Sequence, residues 1–251
     1  MIADFDGREV AFSRKDLNSL LELGEKGNKE LIKKQREVLG EIADEILGME
    51  YGDDVVIATN NAHKLEEMGA ILEDFDYNIH SLKDVDLDGI EIIEDGKTFE
   101  HNALIKARVI AKKTNMIAIS DDSGLEVDAI GKKPGVYSAR FAGENATDAE
   151  NREKLLRMMK SVPASQRSAR FVSAVAVVFP DGKEFVVRGT CEGNIAFEEK
   201  GSNGFGYDNL FIVNKYNKTF AEMPSSIKNA ISHRANALEK MKKEFSKRVV
   251  R

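Results

Sequence analysis

The sequence predicts a mixed α/β fold preceded by an N-terminal helical extension. Three observations carry this expectation. From residue 54 onward, short apolar runs alternate with segments of helical spacing. Two long β-runs, Ala169 to Phe179 and Glu184 to Gly189, are separated only by Pro180-Asp181-Gly182-Lys183, a hairpin signal. Interleaved helices allow parallel neighbours, but a hairpin forces antiparallel ones, so the sheet is expected to be mixed. Residues 1–50 differ from the rest, with charged and apolar residues alternating at helical spacing.

The elements follow in order. Ser13 is placed to cap a helix through Asp16–Leu23, which Gly24 and Gly27 should weaken. Leu31, Val38, Ile42 and Ile46 mark a second amphipathic helix from Glu30 to Leu47, and residues 48–54 read as a connector. Val55-Val56-Ile57-Ala58 is a buried strand that passes through a polar turn into a helix beginning near Leu65. A weak strand near Tyr77–His80 comes next, then a helix from Phe99 to Lys113 whose Ala103, Ala107 and Ala111 suit close packing. Met116–Ile119 reads as a strand ending at Asp121-Asp122, and Asp148–Met159 as a helix capped by Thr147. After the hairpin come a strand at Leu210–Val213 and a closing helix. There is no internal repeat and no low-complexity segment.

Composition narrows the function classes. The 251 residues are enough for one or two domains with a substantial core. Lys plus Arg number 37 against 43 Asp plus Glu, a formal net charge of −6, which argues against a protein that coats nucleic acid. No apolar run approaches the roughly 20 residues of a membrane span, and no signal-peptide pattern opens the chain. The single cysteine, Cys191, excludes an internal disulfide framework and suits a reducing cytoplasm; its strand-like setting reads as an inert buried thiol. The expectation is a soluble intracellular protein.

Two short stretches point to chemistry. In Thr59-Asn60-Asn61-Ala62-His63-Lys64, a strand-to-helix turn gathers backbone N–H groups and a helix dipole at one point, which suits a phosphate. In Asp121-Asp122-Ser123-Gly124, paired carboxylates follow a buried strand. An anion cradle with paired acids can hold a magnesium-bound polyphosphate. Either piece alone occurs as ordinary structure.

Further blocks make the pair specific. They are Thr98-Phe99-Glu100-His101-Asn102-Ala103 leading to Lys106, Pro134-Gly135-Val136-Tyr137-Ser138-Ala139-Arg140-Phe141, Gly204-Phe205-Gly206-Tyr207-Asp208, and Ala230-Ile231-Ser232-His233-Arg234. In this order, from about Val55 to Phe245, the chain closely resembles the inosine triphosphate pyrophosphatase family. That family hydrolyses inosine and xanthosine triphosphates to monophosphate and pyrophosphate. The resemblance implies an elongated twisted sheet in two lobes with a nucleotide-binding cleft between them, Mg²⁺ as cofactor and a homodimer. It also implies a purine nucleoside triphosphate as substrate, with neither a membrane nor a stable nucleic-acid partner.

The resemblance carries roles residue by residue. Glu94 and Asp122 match the metal-binding acids, and Asp122 also matches the acceptor of the attacking water's proton, with Asp121 a lesser partner. Lys64 and Lys106 match phosphate-binding lysines, Thr59, Asn60 and Asn61 the loop contacts, and Ser123 a substrate-contacting hydroxyl. Phe205, with Gly206 and Tyr207 beside it, matches the stacking ring, Asp208 the group facing the base edge, and Lys228, His233 and Arg234 further base contacts. At about 100° per residue, His233 and Arg234 lie ~140° and ~240° from Lys228, so one helix cannot aim all three inward. Ser232 is therefore expected to cap a fresh helix that starts with His233 and Arg234. His101 is a departure, because the family commonly has an acid there; weaker metal binding or an altered pH dependence would follow.

Residues from about 1 to 42 separately resemble the C-terminal tail of ribonuclease PH, most clearly Phe12–Gly27 with Glu30-Leu31-Ile32 and Gln35, without that family's phosphate site or catalytic core. This suggests that the natural gene product joins a ribonuclease PH to a nucleotide pyrophosphatase. The expected division is a helical extension at 1–50 and a pyrophosphatase domain at 51–251. Two other readings stay open here: a nucleotide-binding protein without turnover, and an accessory segment of an RNA-processing protein.

Overall fold

The computed structural model describes residues 2–3, 9–10, 14–40 and 51–249. The expected Ser13 cap, the end of the second helix and the start of the connector lie outside these residues. The chain forms two compact units, Met1–Glu50 with Ser246–Arg251, and Tyr51–Phe245. Among the described residues no helix is long and apolar enough to cross a membrane.

In the first unit, β1 (Ile2–Ala3) and β2 (Glu9–Val10) form an antiparallel ribbon, which the sequence did not announce. The helix α1 (Arg14–Leu39) runs unbroken where two helices were expected. Gly24 and Gly27 each cost about 1 kcal/mol of helix propensity but do not forbid the helical conformation, and the surrounding Leu, Glu and Lys are strong helix formers.

The second unit is built on one eight-stranded sheet. Its strands are β3 (Asp54–Ile57), β4 (Asn78–His80), β5 (Ile117–Val127), β6 (Lys133–Pro134), β7 (Ser168–Val178), β8 (Glu184–Ile195), β9 (Phe211–Val213) and β10 (Lys218–Thr219). The spatial order is β10-β9-β8-β7-β5-β3-β4, with β6 paired to β5. β3 is parallel to both β4 and β5, joined through the crossover helices α2 (Ala62–Ile71) and α3 (Phe99–Thr114). All remaining pairs are antiparallel. The helices α4 (Asp148–Met158), α5 (Ser225–Ile231) and α6 (His233–Phe245) complete the unit.

Local chemistry fixes the helix starts. Asn61 accepts the Lys64 N–H at 3.0 Å, Thr98 accepts that of His101, and Thr147 forms a reciprocal capping box with Glu150. The three alanines of α3 let it lie close on the sheet, where Phe99, Ala103, Ala107 and Ile110 pack against Val172, Ala174, Ala176 and Val178 of β7. A second core gathers Leu125, Leu155, Phe171, Phe211 and Phe220. At Gly189 a Cβ would lie 2.3 Å from the backbone of Ala237 and of His233, so only glycine lets β8 approach α6 this closely.

One expectation is corrected. The sequence placed Asp121-Asp122 at the end of a strand, but β5 continues to Val127, paired with β7 from Ala118 through Val127. The acids therefore lie in mid-strand, where consecutive side chains point to opposite faces of the sheet.

Candidate active site

The alternation of β5 separates the two acids into different environments. Asp122 faces α3, where Asn102 Nδ2 donates to its Oδ2 at 3.1 Å and Lys106 Nζ lies 3.7 Å from Oδ1. The same ammonium donates to Glu94 Oε2 at 2.8 Å. Burial pushes the Asp122 carboxyl up; Lys106 and Lys64 oppose this, and Glu94 adds to it.

Asp121 faces α6 and is fully enclosed. Lys64 Nζ lies 2.9 Å and Arg234 Nη2 3.0 Å from its Oδ2, while the Ser173 hydroxyl donates to its other oxygen. Burial alone would raise this carboxyl, but Arg234 and Lys64 together hold it well below the usual range. Ser123 Oγ bridges Asp121 Oδ2 and Arg234 Nη2, at 3.0 Å to each.

A third cluster lies at the start of α6. Ser232 ends α5, and its hydroxyl accepts the Ala235 N–H at 3.1 Å, so Lys228 and the His233-Arg234 pair sit on different helices. Lys228 Nζ donates to Asp208 Oδ2 at 2.5 Å and to Glu67 Oε1 at 2.6 Å, and Glu67 also pairs with Arg234. Burial raises the Asp208 carboxyl against the pull of Lys228. His233 stacks on Phe171 and is driven well below its ordinary value, first by burial and then by Arg234, which keeps the imidazole neutral. Gly204, at φ +75°, lies against Asp208, whose carboxyl oxygen would be 2.0 Å from an added Cβ. The Phe205 N–H donates to that same oxygen at 2.9 Å.

These clusters open onto one cavity of about 680 Å³. Thr59, Asn60, Asn61, Lys64, Glu94 and Lys106 line one part of it, with Asp122 and Ser123 from β5. Phe205, Gly206, Tyr207, Asp208, Lys228, His233 and Arg234 line another part. The sequence-expected residues thus converge, though two side chains are engaged elsewhere. Asn60 is tied at both ends of its amide to the Gly89-Ile90 segment, and the Tyr207 hydroxyl donates to Ser138 O at 2.8 Å. His101 is exposed in the first turn of α3 and does not line the cavity. Cys191 is buried in β8, its thiol raised to about 11 by burial, as an inert thiol should be.

A model of the Ham1 family matches residues 55–244. The chain belongs to the Ham1 family. Among its relatives, a dITP/XTP pyrophosphatase of Bacillus cereus is 48% identical over 200 residues, covering 78% of this chain and 97% of the relative. One of Clostridium perfringens, with the same description, is 48% identical over 193 residues, covering 74% and 94%. The Ham1 protein of Staphylococcus aureus superposes with a TM-score of 0.69 at 40% identity, covering 77% of this chain and 98% of that one. A HAM1 protein from Coxiella burnetii gives 0.70 at 41% identity, with the same coverage.

Three polar atoms of this Ham1 site, Asn102 Oδ1, His233 Nδ1 and Arg234 Nε, are buried without a hydrogen-bond partner. Such atoms are costly unless a ligand or water satisfies them. The donor set also fits a hard divalent cation. Glu94 and Asp122 converge on the Lys106 ammonium, and magnesium asks the protein for only one or two carboxylates, with water and phosphate oxygens completing its shell. Sequence reasoning missed Asn102, Ser173 and Glu67 as parts of this site. Glu67 carried a faint signal, a carboxylate one helical turn beyond Lys64.

Proposed function

We propose that this chain hydrolyses dITP, ITP and XTP to the monophosphate and pyrophosphate, with Mg²⁺ bound by Glu94 and Asp122, and so removes non-standard purine nucleotides from the pool. The supporting observation is that a raised, buried carboxylate, two lysines and a donor-rich buried pocket share one cavity. The names of the relatives point the same way. Glu94 and Asp122 would hold the metal, which when bound would spread the charge of the polyphosphate. Asp122 takes the proton of the water that attacks the α-phosphorus, and burial suits its carboxyl to that role. Lys64 and Lys106 hold the oxygens of the departing pyrophosphate. Phe205 stacks on the purine. Arg234 Nε, buried and without a partner, presents an N–H donor to a keto edge, whereas the amino group of adenine would leave it unpaired.

The test is incubation with ITP or XTP and Mg²⁺, with pyrophosphate and orthophosphate measured separately. Pyrophosphate release is expected, at rates well above those on ATP and GTP, and chelation of the metal should stop it. Orthophosphate as the sole product, or equal rates on ATP, would sink the reading.

We also propose a cytoplasmic homodimer built by the second unit, which has its own sheet and cores. A chain shortened to begin at Tyr51 is expected to stay dimeric by light scattering and to keep full activity. If it ran as a monomer or lost turnover, residues 1–50 would belong to the catalytic assembly.

A further inference from the structure

Phe205 is the ring that the proposed function stacks on the purine. It lies between Gly204 and Gly206, at φ +75° and +61°, in the connection from β8 to β9. Its own N–H is held by Asp208 and that of Gly206 by Asp148, at 2.7 Å, so the backbone is anchored while the ring's torsions are not fixed by these bonds. A side-chain contact does restrict the ring. The imidazole of His63 lies nearly parallel to it, with centroids 5.1 Å apart and planes inclined by 12°. His63 is exposed and does not line the cavity, whereas Phe205 does. Lys228, which also lines the cavity, has its Nζ 4.9 Å from the Phe205 centroid. The ring is thus backed by His63 from outside the cavity.

His63 is itself well anchored. It is the second residue of α2, whose next residue, Lys64, pairs with Asp121, and whose Glu67, one turn later, holds Lys228 and Arg234. Residues 63 and 67 are neighbours on one helix face, so the imidazole is tied to the same rigid element that sets the charges of the pocket.

We infer that His63 is a positioning residue for base binding: its imidazole holds Phe205 in the orientation that receives the purine, so that this ring is ordered before the nucleotide arrives. The inference rests on the reading of the cavity as a purine nucleotide site. An aromatic pair of this kind is worth the equivalent of about three- to tenfold in affinity. The effect should fall on substrate binding, because His63 does not line the cavity that holds Lys64, Lys106 and Asp122.

The experiment is steady-state kinetics on ITP with Mg²⁺, using the full chain, His63→Ala, His63→Phe, Phe205→Ala and the double alanine variant, each checked by thermal melting. His63→Ala is expected to raise KM about three- to tenfold with kcat changed less than about twofold. His63→Phe should restore KM, since a flat ring is what the contact needs. In the Phe205→Ala background, His63→Ala should add nothing. An unchanged KM in His63→Ala beside a raised KM in Phe205→Ala overturns the inference and leaves base stacking intact. A fall in kcat alone also overturns it, by moving the effect to Lys64. An unchanged KM in Phe205→Ala removes the stacking role of Phe205 and this inference with it, and a wild-type chain that does not turn over ITP removes the proposed function itself.

Discussion

Asp122→Asn is expected to lower turnover of ITP by about 10²–10⁴-fold while the protein stays folded. The amide cannot accept the water's proton and is a poor ligand for a hard cation. Stability should change little, for a physical reason. The carboxylate is nearly buried and its charge is disfavoured there, so a neutral group of the same shape relieves a desolvation cost. The hydrogen bond from Asn102 Nδ2 can be kept, because the new side chain still offers a carbonyl oxygen. Pyrophosphate release at saturating metal, with a thermal melt on the same sample, checks both halves. Residual activity above about a tenth of wild type would put proton acceptance on another group.

Most residues of this site were named by the resemblance to a known family, whose motifs fall in short blocks; local rules alone marked only the phosphate turn and the paired acids. The turn from Thr59 to Lys64 follows a clear apolar strand, and Asn61 is a helix cap by residue type as well as by geometry. Once the resemblance required Lys228, His233 and Arg234 to face one site, helical angles separated Lys228 from the other two, and the break between α5 and α6 falls at Ser232 as expected. The sheet was legible for a similar reason, since the hairpin and the crossover helices each constrain strand direction locally. What stayed hidden depends on partners far away in the chain. Glu67 is held by residues 161 and 167 positions later, and its place one turn beyond Lys64 gives only a faint hint of that. The strand β5 seemed to stop at Ile119 because two carboxylates follow. It continues because Arg234 and Lys64 neutralise Asp121 inside the sheet, and β7 pairs with it from Ala118 through Val127. Two glycines in α1 invited a break, yet propensity is a preference of about 1 kcal/mol each, not a prohibition.

The neighbouring acid should fail in the opposite way. Asp121→Asn is expected to destabilise the fold by about 3–5 kcal/mol, a drop in melting temperature on the order of 10 °C, because a buried ion-pair network loses its central charge. Lys64 and Arg234 would both lose a carboxylate at about 3 Å, and Arg234, fully enclosed, would keep Glu67 as its charged partner beside the Ser123 hydroxyl. Activity would fall as well, since Lys64 and Arg234 both line the cavity, but the unfolding measurement separates the two acids. The pH dependence gives an independent check. In the folded chain the Asp121 carboxyl is held well below its usual range by Arg234 and Lys64, against the opposing effect of burial. A depressed carboxyl contributes stability that is complete above its unfolded value, about 3.9, and is lost as pH falls toward the folded value. Wild-type unfolding free energy should therefore drop on acidification below about pH 4, and Asp121→Asn should flatten that limb. Urea unfolding of the wild type, Asp121→Asn and Asp122→Asn at neutral and acid pH tests the division of roles between the two faces of β5. If Asp121→Asn stayed within about 1 kcal/mol of wild type, or if Asp122→Asn proved equally destabilising, Asp121 would not be the structural member of the pair.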